Sequence, residues 1–337
     1  MIDQTSLGFL IVVIGLALLF ELSNGFNDAA NAIATVVSTR VMSPLAAILM
    51  AAVMNFFGAI SGTAVAKAVG KGVVDPEAIT VITVAGGVLA AAIWVFAATR
   101  FGMPVSGSHS LVSGVAGAGI AHGGLDVLQT SGIQKIALGL TLSPILGFSG
   151  GFLIMLSLYW LFRNSTPTLV TRIFSKLQMI TAAAVAFSHG SNDAQKTMGI
   201  ITLALAVHYQ WGSRGIPFEV PLWVILVSGI VMGIGTYLGG RKVIHTLGVK
   251  IVTMRPVHGF SAEIAAASVI EAASRTGVPV STTHVITSSI LGMGSTKRFS
   301  AVRWGVANEI ITAWVLTFPI VSVLGAVLYM LLSWVTN

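Results

Sequence analysis

Charged side chains are scarce in this sequence. Asp, Glu, Lys and Arg make up 9% of its 337 residues, whereas hydrophobic residues make up 55%. A soluble globular domain usually has about 25% charged residues. A soluble fold of this length would need more charge to cover its surface, so lipid must cover much of that surface instead. The composition therefore excludes an ordinary soluble protein and indicates an all-α integral membrane protein.

Cysteine is absent, so neither a disulfide framework nor a thiolate metal site can form. The net charge is +7, with 18 Lys and Arg against 11 Asp and Glu. A basic balance can indicate nucleic-acid binding, but most of these cations lie in short loops between apolar runs. Cytoplasmic loops of membrane proteins carry such an excess of Lys and Arg. We therefore expect the partner to be the lipid bilayer and not nucleic acid.

Apolar runs long enough to cross a bilayer recur along the whole chain. A spanning helix needs about 20 mostly apolar residues. Two further stretches, 101–121 and 276–296, are rich in small residues, are interrupted by Pro and Gly, and are too polar to face lipid. They are candidates for re-entrant segments, because irregular backbone at membrane depth must be buried in protein or line a cavity. The predicted spans are 7–38, 44–66, 79–99, 135–162, 179–207, 220–240, 256–274 and 303–335.

An internal repeat is the strongest signal in the sequence. Residues 25–29 (Gly-Phe-Asn-Asp-Ala) recur as residues 190–194 (Gly-Ser-Asn-Asp-Ala). Residues 100–109 (Arg-Phe-Gly-Met-Pro-Val-Ser-Gly-Ser-His) recur as residues 275–284 (Arg-Thr-Gly-Val-Pro-Val-Ser-Thr-Thr-His). Chance does not place both motifs in the same order in two halves, so we infer a duplication. Duplicated halves are typical of secondary transporters, whose substrate site lies between the repeats near the membrane midplane.

The boundary between the halves falls in a polar, basic stretch. Residues 163–176 contain three Lys and Arg and no apolar run, which places them in the cytoplasm by the positive-inside bias. The predicted organisation is a first transmembrane repeat over 1–162, this linker, and a second transmembrane repeat over 177–337.

Two aspartates, Asp28 and Asp193, lie inside long apolar runs. An unpaired carboxylate in that position costs at least a few kcal/mol, so it indicates a functional site. Neighbouring amides supply neutral oxygens, and a hard cation such as sodium prefers an all-oxygen site. Helix breaks near Gly25 and Gly190 would add backbone carbonyls. A proton on either Asp and a helix-capping Asp are the alternatives. The predicted cation-binding residues are Asn24, Asn27, Asp28, Asn31, Asn192 and Asp193, with sodium held through the two aspartates.

Hydroxyl-rich triplets follow Pro-Val in each half. Hydroxyls and free backbone N–H groups at the start of a helix form an anion site. The alternative is that the hydroxyls bond back to carbonyls of their own helix. Lys196, three residues after Asp193, could pair with it or face an anionic substrate. The predicted anion-binding residues are Ser106, Gly107, Ser108, Ser281, Thr282, Thr283 and Gln195.

The sequence does not decide the roles of four other polar residues. His109 and His284 could bind phosphate, carry protons, or pack behind the triplets. Glu263 and Glu271 could line the cation path or pair with Arg255 and Arg275.

The repeated motifs resemble the paired signatures of the PiT family of inorganic phosphate transporters. Residues 25–32 and 190–196 carry the likeness, as do the Pro-Val-Ser elements at 104–109 and 279–284. The resemblance spans about residues 7–335. It implies two repeats of inverted topology, transport of orthophosphate with sodium or protons, and a multi-pass protein of the cytoplasmic membrane. It also places both Asn-Asp pairs and both triplets in the substrate and ion region. The short linker resembles that of prokaryotic members.

The expected function is cation-coupled symport of inorganic phosphate, with sodium favoured over protons and no cofactor beyond the coupling ion. One alternative is a carrier of sulfate or another tetrahedral oxyanion, because hydroxyls and N–H groups bind either anion. Another is a membrane enzyme acting on phosphate esters, which needs an activated nucleophile or a metal set. Two equal triplets favour alternating access over a one-sided catalytic site, so we expect a transporter and not an enzyme. A homodimer stays open.

The orientation of the halves leads to one further expectation. Inversion requires an odd number of crossings in each half and puts both termini outside. The eight apolar runs give an even number of crossings in each half. One long run in each half should therefore hide a break or an extra crossing, and the candidates are 303–335 and its counterpart in the first half.

Overall fold

The computed structural model describes residues 6–239 and 241–336, and within these ranges the chain is helical. The described helices of the first half are α1 (Leu7–Ser38), α2 (Pro44–Ala59), α3 (Ala64–Gly72), α4 (Val81–Phe101), α5 (Gly107–Gly123) and α6 (Thr130–Leu161). Those of the second half are α7 (Pro167–His208), α8 (Leu222–Leu238), α9 (Arg241–His245), α10 (Pro256–Arg275), α11 (Thr282–Ser295) and α12 (Trp304–Thr336). A π-helical turn over 246–250 continues α9.

Local sequence sets the ends of several helices. Ser6, Ser43 and Thr166 precede α1, α2 and α7, and each side chain accepts a hydrogen bond from a backbone N–H three residues later. This side-chain bond satisfies one of the free N–H groups of a first helical turn. Helix α4 ends at Gly102, whose φ of +74° suits glycine.

The second half repeats the element order of the first. Each half has a long helix, a pair of shorter helices, a further helix, a helix that begins after Pro-Val-Ser, one 3-10 turn, and a long helix with an internal proline. Helices α2 and α3 are bent by 72° to each other across 60–63. The orientation of the two halves in a membrane stays a prediction.

The predicted apolar runs coincide with helices. In the described ranges, α1, α4, α6, α7 and α12 are long and apolar enough to cross a membrane, and the count reaches seven if each bent pair is one span. The chain is therefore a multi-pass membrane protein. The stretches expected to be re-entrant form α5 and α11, two short helices that are buried over most of their length.

The central parts of α1 and α7 are enclosed by protein. Polar and apolar side chains alike are buried over 27–36 in α1 and 188–206 in α7. Large exposed apolar side chains lie instead on outer helices such as α6, α8 and α12. Both Asn-Asp pairs consequently face the protein interior and not lipid.

Two expectations about chain breaks are corrected by the structure, whereas the division of the chain at 163–176 stays a prediction. Helix α1 runs without interruption past Gly25, and α7 past Gly190, so no backbone carbonyls are released there and neither Asp caps a helix. Helix α12 is also continuous, so a break within 303–335 is wrong. Helix α7 begins at Pro167, which makes most of the 163–176 stretch helical and leaves 162–166 as the connecting loop.

The two glycines serve close packing instead of helix breaking. A Cβ atom on Gly25 would lie 3.0 Å from the Met232 carbonyl oxygen of α8, and one on Gly190 would lie 2.1 Å from the Asn55 carbonyl oxygen of α2. A glycine inside a helix costs only about 1 kcal/mol relative to alanine. This modest cost lets α8 approach α1, and α2 approach α7, at backbone distance.

We expect Gly190→Ala to lower the stability of the purified protein by about 1–3 kcal/mol, because the new methyl group overpacks the α2 backbone. The matched control is Gly15→Ala in α1, where a Cβ atom meets nothing within 4 Å. The control should be neutral or stabilising. Thermal unfolding in detergent measures both variants, and a Gly190→Ala variant as stable as wild type would contradict the packing of α2 on α7.

Candidate ion and anion site

The predicted motifs of the two halves meet at one place. Thr283 Oγ1, in the first turn of α11, donates to Asp28 Oδ1 of α1 at 2.9 Å. Thr282 Oγ1 donates to Asp193 Oδ2 of α7 at 3.0 Å. Asn24 Nδ2 of α1 donates to the same Asp193 oxygen at 3.3 Å. The aspartate pair and the hydroxyl triplets, far apart in sequence, therefore form one buried polar site.

Helices α5 and α11 begin opposite each other in this site. Ser106 and Ser281 are their N-caps, and each Oγ accepts from a backbone N–H of the first turn. Ser108 Oγ donates to the Val280 carbonyl oxygen at 2.9 Å, and Thr283 Oγ1 lies 3.2 Å from the Val105 carbonyl oxygen. These hydroxyls bond across the two halves, so the alternative of bonding within their own helix is wrong for them.

A glycine at the start of α5 is required by its neighbour on α1. A Cβ atom on Gly107 would lie 1.9 Å from Asn24 Oδ1. The side chain of Asn24 therefore occupies the space that a larger residue would fill. Gly107 thus shapes the start of α5.

Hydroxyl groups fix the orientation of two asparagine amides. Asn27 Nδ2 donates to Thr99 Oγ1 of α4 at 2.7 Å, and that hydroxyl in turn donates to the Val95 carbonyl. Because the Thr99 hydrogen is already used, its oxygen must accept, which selects the nitrogen end of Asn27. Asn192 and Ser274 of α10 repeat this arrangement at 3.0 Å. The side-chain carbonyl oxygens of Asn27 and Asn192 therefore receive no hydrogen bond from these hydroxyl groups.

Five buried oxygens of the predicted cation-binding residues have no hydrogen-bond donor among the described residues. A buried acceptor left unsatisfied costs about 1–3 kcal/mol, so a group of them indicates a missing ligand. Residues 24, 27, 28 and 31 are spaced to share one face of α1. The five atoms are Oδ1 of Asn24, Asn27, Asn31 and Asn192, and Oδ2 of Asp28. Their chemistry fits a hard cation, which binds carboxylate and carbonyl oxygens.

The two aspartates differ in charge balance. The Lys196 ammonium donates to Asp193 Oδ1 and, at 2.9 Å, to the Val280 carbonyl oxygen. Asp193 therefore already has a buried cation beside it, which confirms that Lys196 pairs with it at i, i+3. Asp28 receives the Thr283 hydroxyl on one oxygen and has no lysine or arginine partner in the described ranges. The carboxylate charge of Asp28 therefore needs a bound cation to compensate it more than that of Asp193 does.

His189 lies between the two aspartates, a position that the sequence reasoning missed. Its Nε2 is 3.7 Å from Asp28 Oδ2 and 3.4 Å from Asp193 Oδ2. Its Nδ1 is 2.9 Å from Asn55 Oδ1, an acceptor, so Nδ1 carries a hydrogen. Ligand atoms of these two aspartates and His189 all lie within 4.8 Å of one another, close enough to hold a metal ion. The repeat itself gave the signal, because the offset that relates Asp28 to Asp193 places His189 at the position of Asn24.

Gln195 is placed differently from the triplets. Its Oε1 accepts from the Val65 N–H at the start of α3 at 2.8 Å, and its Nε2 donates to the Ser191 carbonyl. In the described structure its hydrogen bonds go to these groups and not to the triplets. Its role in phosphate binding stays a prediction.

The two histidines pack behind the triplets. Their ring centres are 4.4 Å apart, His284 stacks on Trp314 at 3.8 Å, and His109 contacts Phe318 at 4.3 Å. Both rings are therefore packed, but neither ring nitrogen of His109 nor Nε2 of His284 has a hydrogen-bond partner among the described residues, so their role stays open.

Three acidic side chains have distinct surroundings. Glu263 is buried and accepts from Thr35, Thr181 and Gln178, and it does not pair with Arg255. Glu271 pairs with Arg275 at 2.8 Å near the surface. Glu21 is fully buried in α1 and accepts from Thr197. Glu21 was missed, although a second acid beside Asp28 within the apolar run 7–38 was a visible signal.

A buried polar site inside a bundle of membrane-spanning helices is typical of a membrane transporter. A profile of the Phosphate transporter family matches residues 24–325, so the chain belongs to that family. It is 42% identical over 325 residues to a probable low-affinity inorganic phosphate transporter of Bacillus subtilis, covering 96% of this chain and 97% of the relative.

Other comparisons agree with this assignment. A relative of the same description from Rhizobium meliloti is 41% identical over 321 residues, covering 95% of both chains. A solved structure described as the sodium-dependent phosphate transporter matches with a TM-score of 0.86 and 26% identity, covering 97% of this chain and 100% of that one. The chain is a phosphate transporter and not an enzyme.

Proposed function

We propose that the chain is a sodium-coupled phosphate symporter of the cytoplasmic membrane. Sodium binds on the face of α1 that carries Asp28, and phosphate binds between the first turns of α5 and α11. The observation that carries this proposal is the set of five buried oxygens without donors, four of them neutral amide oxygens.

The neutral oxygens favour sodium over a proton. A proton needs one carboxylate and gains nothing essential from amide oxygens nearby. A sodium ion needs several oxygen ligands, some of them neutral, to replace its hydration shell. Because α1 and α7 are unbroken, helix carbonyls do not supply these ligands, and the asparagine side chains take that role. The similar solved structure is described as sodium-dependent, which also supports the proposal.

The start of two helices supplies the anion site. The first N–H groups of a helix lack intrahelical partners and carry the positive end of the helix dipole. Two such ends that face each other, with hydroxyls from both triplets, suit a tetrahedral oxyanion. The Lys196 ammonium lies beside the Val280 carbonyl, immediately before the start of α11. This arrangement concentrates positive potential where phosphate is proposed to bind.

Thr283 provides a direct link between the two ligands. Its hydroxyl now donates to Asp28, and it accepts from Asn31 Nδ2 at 3.0 Å. A sodium ion at Asp28 would compensate the carboxylate charge and release the hydroxyl to donate to phosphate. Each ligand would then strengthen the binding of the other, as symport requires and as linkage demands.

Proton coupling is the second candidate, because His189 joins the two aspartates into a titratable cluster. In that case the aspartates would carry protons and the asparagine oxygens would be incidental. Sodium at Asp193 as well as at Asp28 stays a prediction, and the Lys196 pair makes Asp28 the stronger site.

The double variant Ser106→Ala/Ser281→Ala should weaken phosphate binding by roughly tenfold or more, because hydrogen bonds to charged groups are each worth about 1.5–3 kcal/mol. Sodium affinity should change much less. Radiolabelled phosphate binding and sodium titration of the purified protein measure the two effects separately.

The control for this double variant is Ser43→Ala, which removes the exposed N-cap of α2 and should leave phosphate affinity unchanged. The control accounts for the general cost of losing a cap, about 1 kcal/mol. Unchanged phosphate affinity in the double variant would contradict the proposed anion site.

A further inference from the structure

A cavity lies well away from the transport site. It has a volume of about 730 Å³ and is formed by the 162–166 loop, the segment before α10, and the connection between α11 and α12. It reaches Gly294 near the end of α11, twelve residues from Thr282, which corresponds to about 18 Å along a helix. The cavity is therefore separate from the proposed phosphate and sodium sites.

The lining of this cavity is strongly basic. In the described ranges no Asp or Glu lines it, and none of its Lys or Arg residues forms an ion pair. Apolar side chains of α6, including Met155 and Leu158, form another part of the wall. The cationic lining residues are Arg163, Arg255, Lys297, Arg298 and Arg303.

Two of these cations are held in place by the protein. Arg303 donates from Nη1 to the Val249 and Lys250 carbonyls, and the Arg163 guanidinium lies 5.0 Å from the centre of the Trp160 ring. The remaining three, Arg255, Lys297 and Arg298, are exposed. They leave a concentrated positive charge around a cavity large enough for a small organic ligand.

The basic cluster is not a by-product of the duplication. At the repeat offset, the positions equivalent to Arg255, Lys297, Arg298 and Arg303 contain Thr80, His122, Gly123 and Leu128. The equivalent part of the first half instead carries the acidic residues Asp75, Glu77 and Asp126. This group of four cations is therefore particular to the second half.

We propose that this cavity binds a multiply charged phosphate-bearing ligand at the surface of the protein. Clustered Arg and Lys side chains recognise phosphate groups through charge-assisted hydrogen bonds, and the apolar wall suits the organic part. The ligand comes either from the bilayer, as an anionic phospholipid headgroup, or from solution, as a nucleotide or pyrophosphate. The basic 163–176 stretch is expected to face the cytoplasm, so a soluble ligand would be cytosolic.

The test uses the full chain in nanodiscs of phosphatidylcholine, with orthophosphate in excess to occupy the transport site. Pyrophosphate and ATP are titrated by calorimetry, and a second set of nanodiscs contains cardiolipin. The variant is Arg255→Gln/Lys297→Gln/Arg298→Gln. The matched control is Arg172→Gln/Lys176→Gln, which removes exposed cations of α7 outside the cavity.

The triple variant should lose at least about tenfold in affinity for the ligand, whereas the control keeps it. Binding of pyrophosphate or ATP in phosphatidylcholine nanodiscs identifies a soluble source. Binding of cardiolipin alone, lost in the triple variant, identifies a lipid source. If neither probe binds, or if triple variant and control bind equally, the proposal is overturned and the charges serve only membrane orientation. Orthophosphate binding and the single variants Arg255→Gln and Lys297→Gln show that any loss is not misfolding.

Discussion

Replacing Asp28 with Asn should abolish the stimulation of phosphate uptake by sodium while the protein still folds. The amide keeps the shape of the side chain and can still accept the Thr283 hydroxyl, but it removes the charge that a sodium ion compensates. Any remaining stimulation should need at least roughly tenfold more sodium, because a bond to a charged group is worth about 1.5–3 kcal/mol. Uptake into proteoliposomes against sodium concentration, at fixed pH, measures the effect.

The matched control is Asp126→Asn, an equal change of charge at an exposed position between α5 and α6. The control should transport as wild type does. An Asp28→Asn variant with the wild-type sodium dependence would remove Asp28 from the proposed cation site.

Removing the ammonium of Lys196 should destabilise the protein by about 3–5 kcal/mol, because Lys196→Met leaves the buried carboxylate of Asp193 without its cation. Thermal unfolding of the purified protein in detergent measures this loss. Lys176→Met, on the exposed face of α7, is the matched control and should stay within about 0.5 kcal/mol of wild type.

A second variant, Lys196→Met/Asp193→Asn, removes both charges of the pair together. Most of the lost stability should return, because an uncharged amide costs less to bury than an unpaired carboxylate. A double variant no more stable than Lys196→Met alone would show that the pair does not account for the effect.

Much of the fold follows from composition and periodicity. The run 7–38 predicted α1 to the residue, because a helix that crosses a bilayer needs about 20 mostly apolar residues. The duplicated Pro-Val-Ser elements predicted where α5 and α11 begin, since proline cannot continue a helix and serine caps the next one. Strong local signals of this kind need no tertiary context.

The breaks in the helices could not be predicted in the same way. Gly25 and Gly190 suggested helix ends, but each accommodates the backbone of a neighbouring helix. The bend occurs across 60–63 instead, between α2 and α3. A glycine that ends a helix and a glycine that admits a neighbour look alike in sequence, and only the packing distinguishes them.

The sequence likewise predicted only part of the candidate site. The sequence identified the two Asn-Asp pairs because a buried carboxylate is conspicuous in an apolar run. It did not show that Lys196 would pair with Asp193 while Asp28 has no such cation, or that His189 would lie between them. The position of His189 against Asp28 arises from the contact of α1 with α7, which no local pattern encodes, whereas the Lys196 pair is an i, i+3 contact within α7.

The most direct test of the account is phosphate uptake by wild-type protein in proteoliposomes under two separately imposed gradients. An inward sodium gradient at equal pH on both sides should drive accumulation of radiolabelled phosphate, whereas a proton gradient without sodium should drive little. Full accumulation in sodium-free buffer under the proton gradient alone would contradict the sodium site at Asp28 and would make the aspartates proton carriers.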